Sequence, residues 1–135
     1  MKYFCALAFA LLTSSAMAGT SAGCGMGGQF SRFDPVVAEH NRTGELFRIE
    51  GHCQSACTVF LGIKNVCVQP SARLLFHAGH DRQRNISTKW TNHMLAAYKP
   101  ALRQYLLSNH YMETLAFHTI SGRELIDKFG YKACP

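Results

Sequence analysis

Apolar and polar positions alternate in short blocks along the chain, and each block predicts one element. Leu46–Glu50 (LFRIE) is rich in β-branched and aromatic residues and lies between Gly44 and Gly51, which reads as a strand. In Ser55–Ile63 (SACTVFLGI), Val59, Phe60 and Ile63 recur at helical spacing behind Ser55 as a cap, so a tight turn leads from strand into helix. Val66–Val68 and Arg73–His77 are further strands, separated by a turn at Pro70-Ser71-Ala72. Upstream, Asp34 followed by Pro35 predicts a helix over 35–43 that stops at Gly44. From Ser87 to Ser108, Trp90, Met94, Tyr98, Leu102, Tyr105 and Leu106 keep helical spacing with Pro100 inside, giving two helices or one kinked helix. A last helix starts with the capping-box pair Ser121 and Glu124 and ends at Gly130. Strands separated by helices predict an α/β fold with a small, mainly parallel sheet flanked by helices.

The first 18 residues read differently from the rest. Lys2, the apolar run Tyr3–Leu12 and the small-x-small Ala16-Met17-Ala18 form a secretory signal cleaved after Ala18, leaving a single domain over 19–135 in the periplasm or outside the cell. The alternative, a lipoprotein anchored through Cys24, has Ser21 where a large aliphatic residue is expected. The run is too short to span a bilayer, and no transmembrane segment is expected. Composition adds one exclusion. A net charge of +6 comes from 14 Lys+Arg and 8 Asp+Glu, but the basic residues are scattered, without the stripe that a nucleic-acid partner needs.

Export also accounts for the cysteines. Without Cys5, the candidates for disulfides are Cys24, Cys53, Cys57, Cys67 and Cys134, an odd number that predicts two bridges and one free thiol, with the pairing left open. Zinc on Cys53, Cys57, Cys67 and His77 is the competing use, but no C-x-x-C or H-x-x-x-H spacing supports it. No metal or other cofactor is expected.

The chemistry concentrates in Gly51–Asp81. Ser55 lies where a strand gives way to a helix, and His77 lies at the end of the next substantial strand. A serine hydroxyl becomes a useful nucleophile when an imidazole takes its proton, and free N–H groups at a helix start, such as that of Ala56, stabilise the resulting oxyanion. Ser55 as a plain helix cap and His77 as a strand-end histidine are the bland alternatives.

Gly51-His52-Cys53-Gln54-Ser55-Ala56 and Pro70-Ser71-Ala72-Arg73-Leu74-Leu75-Phe76-His77 together resemble the active-site region of the Clp protease proteolytic subunit and its crotonase-like relatives. The cysteine-bearing version (C-x-S-A-C-T, V-C-V-x-P, F-H-A and a terminal cysteine) resembles short exported bacterial proteins over nearly the whole of residues 27–134. The resemblance implies a truncated Clp/crotonase-like fold, with only Gly19–Gly27 ahead of the Gly28 position. It also implies a serine hydrolase or peptidase in which Ser55 is nucleophile and His77 base, with the Gly28 and Ala56 N–H groups forming the oxyanion hole. Glu113 or Asp81 would be the orienting acid. The substrate would be a peptide or protein, and self-association into a homo-oligomer is open. The competing function is a non-catalytic, disulfide-stabilised protein-binding module that retains the fold.

Overall fold

The computed structural model describes residues 19–135, so the expected signal segment lies outside the described residues. Their elements run β1 (Gly19–Thr20), α1 (Phe30–Thr43), β2 (Phe47–Ile49), β3 (His52–Gln54) and a 3₁₀ helix (Ser55–Gly62). Then come β4 (Val66–Val68), β5 (Arg73–Phe76), α2 (Thr88–Ala96), α3 (Pro100–Ser108), β6 (His118–Ser121), α4 (Gly122–Phe129) and β7 (Lys132–Ala133). The fold is α/β and mainly parallel, as the alternating blocks predict.

The strands divide between two small sheets. One has the order β1-β2-β4-β7 and is parallel throughout; the other, β3-β5-β6, pairs β3 and β5 in parallel and β5 with β6 antiparallel. Two successive segments, β2–β3 and β4–β5, each give one strand to each sheet and then enter a helix or the loop before one. The bends between them are cross-linked by the backbone: Gln69 N–H donates to the Ile49 carbonyl and Arg73 N–H to that of Gly51. Strand β4 is buried along its whole length, which explains its continuous apolar character, while β2 buries Phe47 and Ile49 and leaves Arg48 half-buried between them.

Phe47 and Phe60 meet at 4.5 Å between ring centroids, and Phe33 joins Phe60 at 5.2 Å, so α1, β2 and the 3₁₀ helix share one core. This packing moves the start of α1. The helix begins at Phe30 and not at Asp34, because Phe33 must be buried and Phe30 stacks on Trp90 of α2. Asp34 therefore lies inside α1, where its carboxylate accepts from His93 Nε2 at 2.9 Å, and Pro35 is exposed within the helix. The predicted helix over Ser55–Ile63 is a 3₁₀ helix whose residues 56–61 are all buried, so packing on every side and not one apolar stripe shapes it. Elsewhere the signals hold: Pro100 separates α2 from α3, Ser121 and Glu124 form a reciprocal capping box, and Gly130 ends α4 in the left-handed conformation.

Disulfides tie down the C-terminal tail and the start of the 3₁₀ helix. Cys67 pairs with Cys134, fastening the chain end onto β4, and Cys53 pairs with Cys57. Cys24 is bonded as well and no cysteine among the described residues is free, so the single free thiol expected from the odd count is not found. Opening the 67-residue separation of Cys67 and Cys134 in a Cys67→Ala/Cys134→Ala double variant should cost about 4 kcal/mol on chain-entropy grounds. Urea unfolding monitored by circular dichroism measures that loss; an unchanged midpoint would show that the tail contributes nothing to folding.

Candidate active site

The register of β3 against β5 brings the two principal residues to one edge. Gln54 faces Leu75, so Ser55 leaves the C-terminal end of β3 beside the strand that ends at Phe76 and continues into His77. Neighbouring strands are about 4.8 Å apart, which fixes the separation of the two backbones there. The serine that follows β3 has φ 55, a left-handed conformation that costs a residue with a Cβ roughly 1–2 kcal/mol. The cap of the 3₁₀ helix is Gln54, and it makes no side-chain capping bond. Ser55 is thus not the cap that its position suggested, and its hydroxyl is not used in holding the helix.

Several contacts hold this turn in its strained form. The Cys53–Cys57 bridge closes over it. Thr58 Oγ1 lies 2.7 Å from the Ser55 carbonyl, to which it donates, and 2.6 Å from the buried Tyr98 hydroxyl. Burial pushes the Tyr98 phenol well above its ordinary range, so it stays a neutral hydrogen-bonding group. On the other side lies the glycine lead. Gln54 N–H donates to the Gly25 carbonyl and Gln54 Nε2 to that of Met26. A Cβ on Gly27, itself at φ 76, would come within 2.9 Å of the Gln54 carbonyl oxygen and 3.1 Å of Ser55 Cβ, so only glycine fits there. Gly28 follows at φ 142, and Ala56 is at the start of the 3₁₀ helix, where N–H groups lack intrahelical acceptors. A cavity of about 620 Å³, lined in part by Gly25, Gly27, Arg32 and His52, opens along this lead.

His77 is 4% exposed, and its Nδ1 is buried with no hydrogen-bond partner. Phe117, from the segment before β6, meets the ring edge to face at 5.0 Å, while His80 stacks on it at 5.7 Å. Burial holds the imidazole below its ordinary pKa; a backbone hydrogen bond at Ala78 opposes this, and the charges of His80 and Arg84 add to it. Among the described residues no hydrogen bond joins the Ser55 hydroxyl to His77.

Neither expected acid is bonded to His77. Glu113 is exposed and pairs with His110 at 3.0 Å, although the carbonyl of its neighbour Thr114 accepts from Ala78 N–H at 2.8 Å and so ties this loop to the chain just after His77. Asp81 closes its own turn by accepting from the Gln83 and Asn85 N–H groups at 2.9 Å each, bonds that hold its carboxyl below the usual range. Glu113 is expected from its place ahead of Ser121 in the resemblance and Asp81 from its nearness to His77 in sequence, whereas His110 engages the first carboxylate and a local turn engages the second. Sequence reasoning missed Phe117, His80, Thr58 and Tyr98 as neighbours of the site; only the glycine run gave a signal of the lead's role. Cys53, Cys57 and Cys67 are spent in disulfides and supply no thiolate for zinc.

The left-handed turn predicts that Ser55→Gly is more stable than Ser55→Ala by about 1–2 kcal/mol, since glycine relieves the strain and alanine keeps it. Thermal or urea unfolding of the pair tests this, and equal stabilities would mean that the turn relaxes. His77 gives a pH signature. Its folded pKa lies below the unfolded value near 6.5, so the unfolded chain binds the proton more readily. Stability should be full above about pH 6.5, fall as the pH drops towards the lowered folded value, and level off beneath it. In His77→Gln that part of the slope should vanish; an identical pH profile would show that His77 is not the group responsible. Comparison with protein-family models, curated proteins and solved structures finds no match to this chain.

Proposed function

We propose that the chain is an exported serine hydrolase of truncated Clp/crotonase-like fold that acts on peptide or protein substrates through Ser55 and His77. One observation carries the reading: a serine with its hydroxyl uncommitted is held in a left-handed turn between strand and helix, next to the strand that ends in a buried histidine. Strain of this kind persists where surrounding structure enforces it, and an exposed nucleophile at a sharp strand-to-helix turn is a recurrent catalytic arrangement.

In the proposed reaction a His77 ring nitrogen takes the Ser55 proton as Oγ attacks the substrate carbonyl carbon. The N–H groups of Ala56 and Gly28 receive the negative charge on the carbonyl oxygen. Collapse of the tetrahedral intermediate breaks the bond to the leaving group, which departs with the proton from His77. Water, deprotonated by His77, then hydrolyses the acyl-serine and returns the proton to Ser55. With no carboxylate among the described residues bonded to the imidazole, the pair works as a dyad. The depressed pKa keeps His77 in its neutral, proton-accepting form at neutral pH.

The disulfides fit an oxidising compartment, and among the described residues no helix is long and apolar enough to cross a membrane. The binding-module reading is favoured by a different observation, the absence among the described residues of both a Ser55–His77 hydrogen bond and an orienting acid. Labelling with a fluorophosphonate separates the two. Wild-type protein, folded and oxidised, should be labelled, and Ser55→Ala and His77→Ala should each abolish labelling while remaining folded. Failure of the wild type to react would leave the binding module.

A further inference from the structure

The loop that follows His77 carries charge that the catalytic reading leaves unused. His80 and Ile86 form an antiparallel bridge, and Ser87 N–H donates to the Gly79 carbonyl, so 80–87 is a short hairpin. Its base, His80, stacks on the His77 ring. At its tip stand Arg82 and Arg84, both exposed and neither in an ion pair among the described residues. The tip is not loose: Arg84 N–H donates to the Asp81 carbonyl, and the Asp81 carboxylate takes the N–H groups of Gln83 and Asn85. That carboxylate is therefore turned to its own backbone, leaving the guanidinium groups available. Arg84 has φ 64 and stands on the hairpin whose base residue, His80, stacks on His77. On the same histidine, Phe117 is 46% exposed and offers an apolar surface.

We propose that this hairpin makes Arg84, assisted by Arg82, a specificity-determining residue that selects substrates carrying an anionic group, a carboxylate, close to the scissile carbonyl. This rests on the Ser55–His77 reading and names the substrate class for that site. Phe117 packs against the apolar part of the acyl chain, and the guanidinium groups attract the carboxylate beyond it. Nearby Glu113 is engaged by His110 at 3.0 Å and forms no ion pair with either arginine.

The test compares an anionic ester, para-nitrophenyl hemisuccinate, with its neutral counterpart, para-nitrophenyl butyrate. Wild-type protein should favour the anionic ester in kcat/KM by about fivefold, the effect of one exposed ion pair. Arg84→Asn, chosen because asparagine tolerates a left-handed turn, should bring the ratio close to one. Raising the salt to about 0.5 M should compress the wild-type ratio in the same direction, independently of any variant. A ratio near one in the wild type, or one that neither Arg84→Asn nor salt alters, overturns the proposal while hydrolysis of both esters leaves the Ser55–His77 reading standing. If neither ester is hydrolysed and the fluorophosphonate does not react, the catalytic reading fails and this inference falls with it.

Discussion

The parallel pairing of β3 with β5 is the constraint on which the site depends. Because Gln54 faces Leu75, the left-handed Ser55 turn and the strand end that carries His77 emerge at one edge. Slipping that register by one residue would invert every side chain of β3, taking the buried Cys53 out of the core and separating it from Cys57. Burial, the disulfide and the juxtaposition of Ser55 with the His77 strand end therefore specify the same register. The second sheet is tied to it: bonds from Gln69 to Ile49 and from Arg73 to Gly51 lock the bends through which both segments pass between sheets.

Local signals made much of this fold legible. Val66–Val68 reads as a strand because it is apolar throughout, and Pro100 divides α2 from α3 because proline suits the first position of a helix, where its missing N–H has no intrahelical acceptor. Ser121 and Glu124 announce α4 because both halves of a capping box lie in the sequence. What escaped depends on distant partners. β3 is the tripeptide His52-Cys53-Gln54, with no hydrophobic alternation to mark it; it is a strand because Leu74 and Leu75 lie alongside. The start of α1 follows from Phe33 packing on Phe60 and overrides a good Asp-Pro signal.

The same division runs through the site. Ser55, His77 and the glycine run stand out because their residue types and order suggest chemistry, and β5–β6 pairing explains why Phe117 reaches His77 only in three dimensions, since Phe76 faces His118. That neither expected acid is bonded to His77 has a physical reason. A carboxylate near backbone N–H groups is captured by the nearest turn, as with Asp81, or by a neighbouring histidine, as with Glu113, unless the fold supplies a better partner.

That leaves the electrostatics of His77 to be supplied by burial and cations instead of an acid. Phe117 and His80 exclude water from the ring, and Arg84 adds positive charge, so every neighbour identified there except the Ala78 backbone disfavours the imidazolium. In a dyad this has opposite effects on the two halves of the proposed reaction. It keeps the base neutral and ready before attack, yet it raises the cost of the imidazolium that forms during attack. An anionic substrate would offset that cost. A carboxylate drawn to Arg84 neutralises the cation that opposes His77 protonation, so the group that gives specificity would also strengthen the base at the moment substrate is bound. The charge that a carboxylate in the enzyme would provide permanently would then arrive with the substrate, and binding the right ligand and completing the catalytic site would be one event.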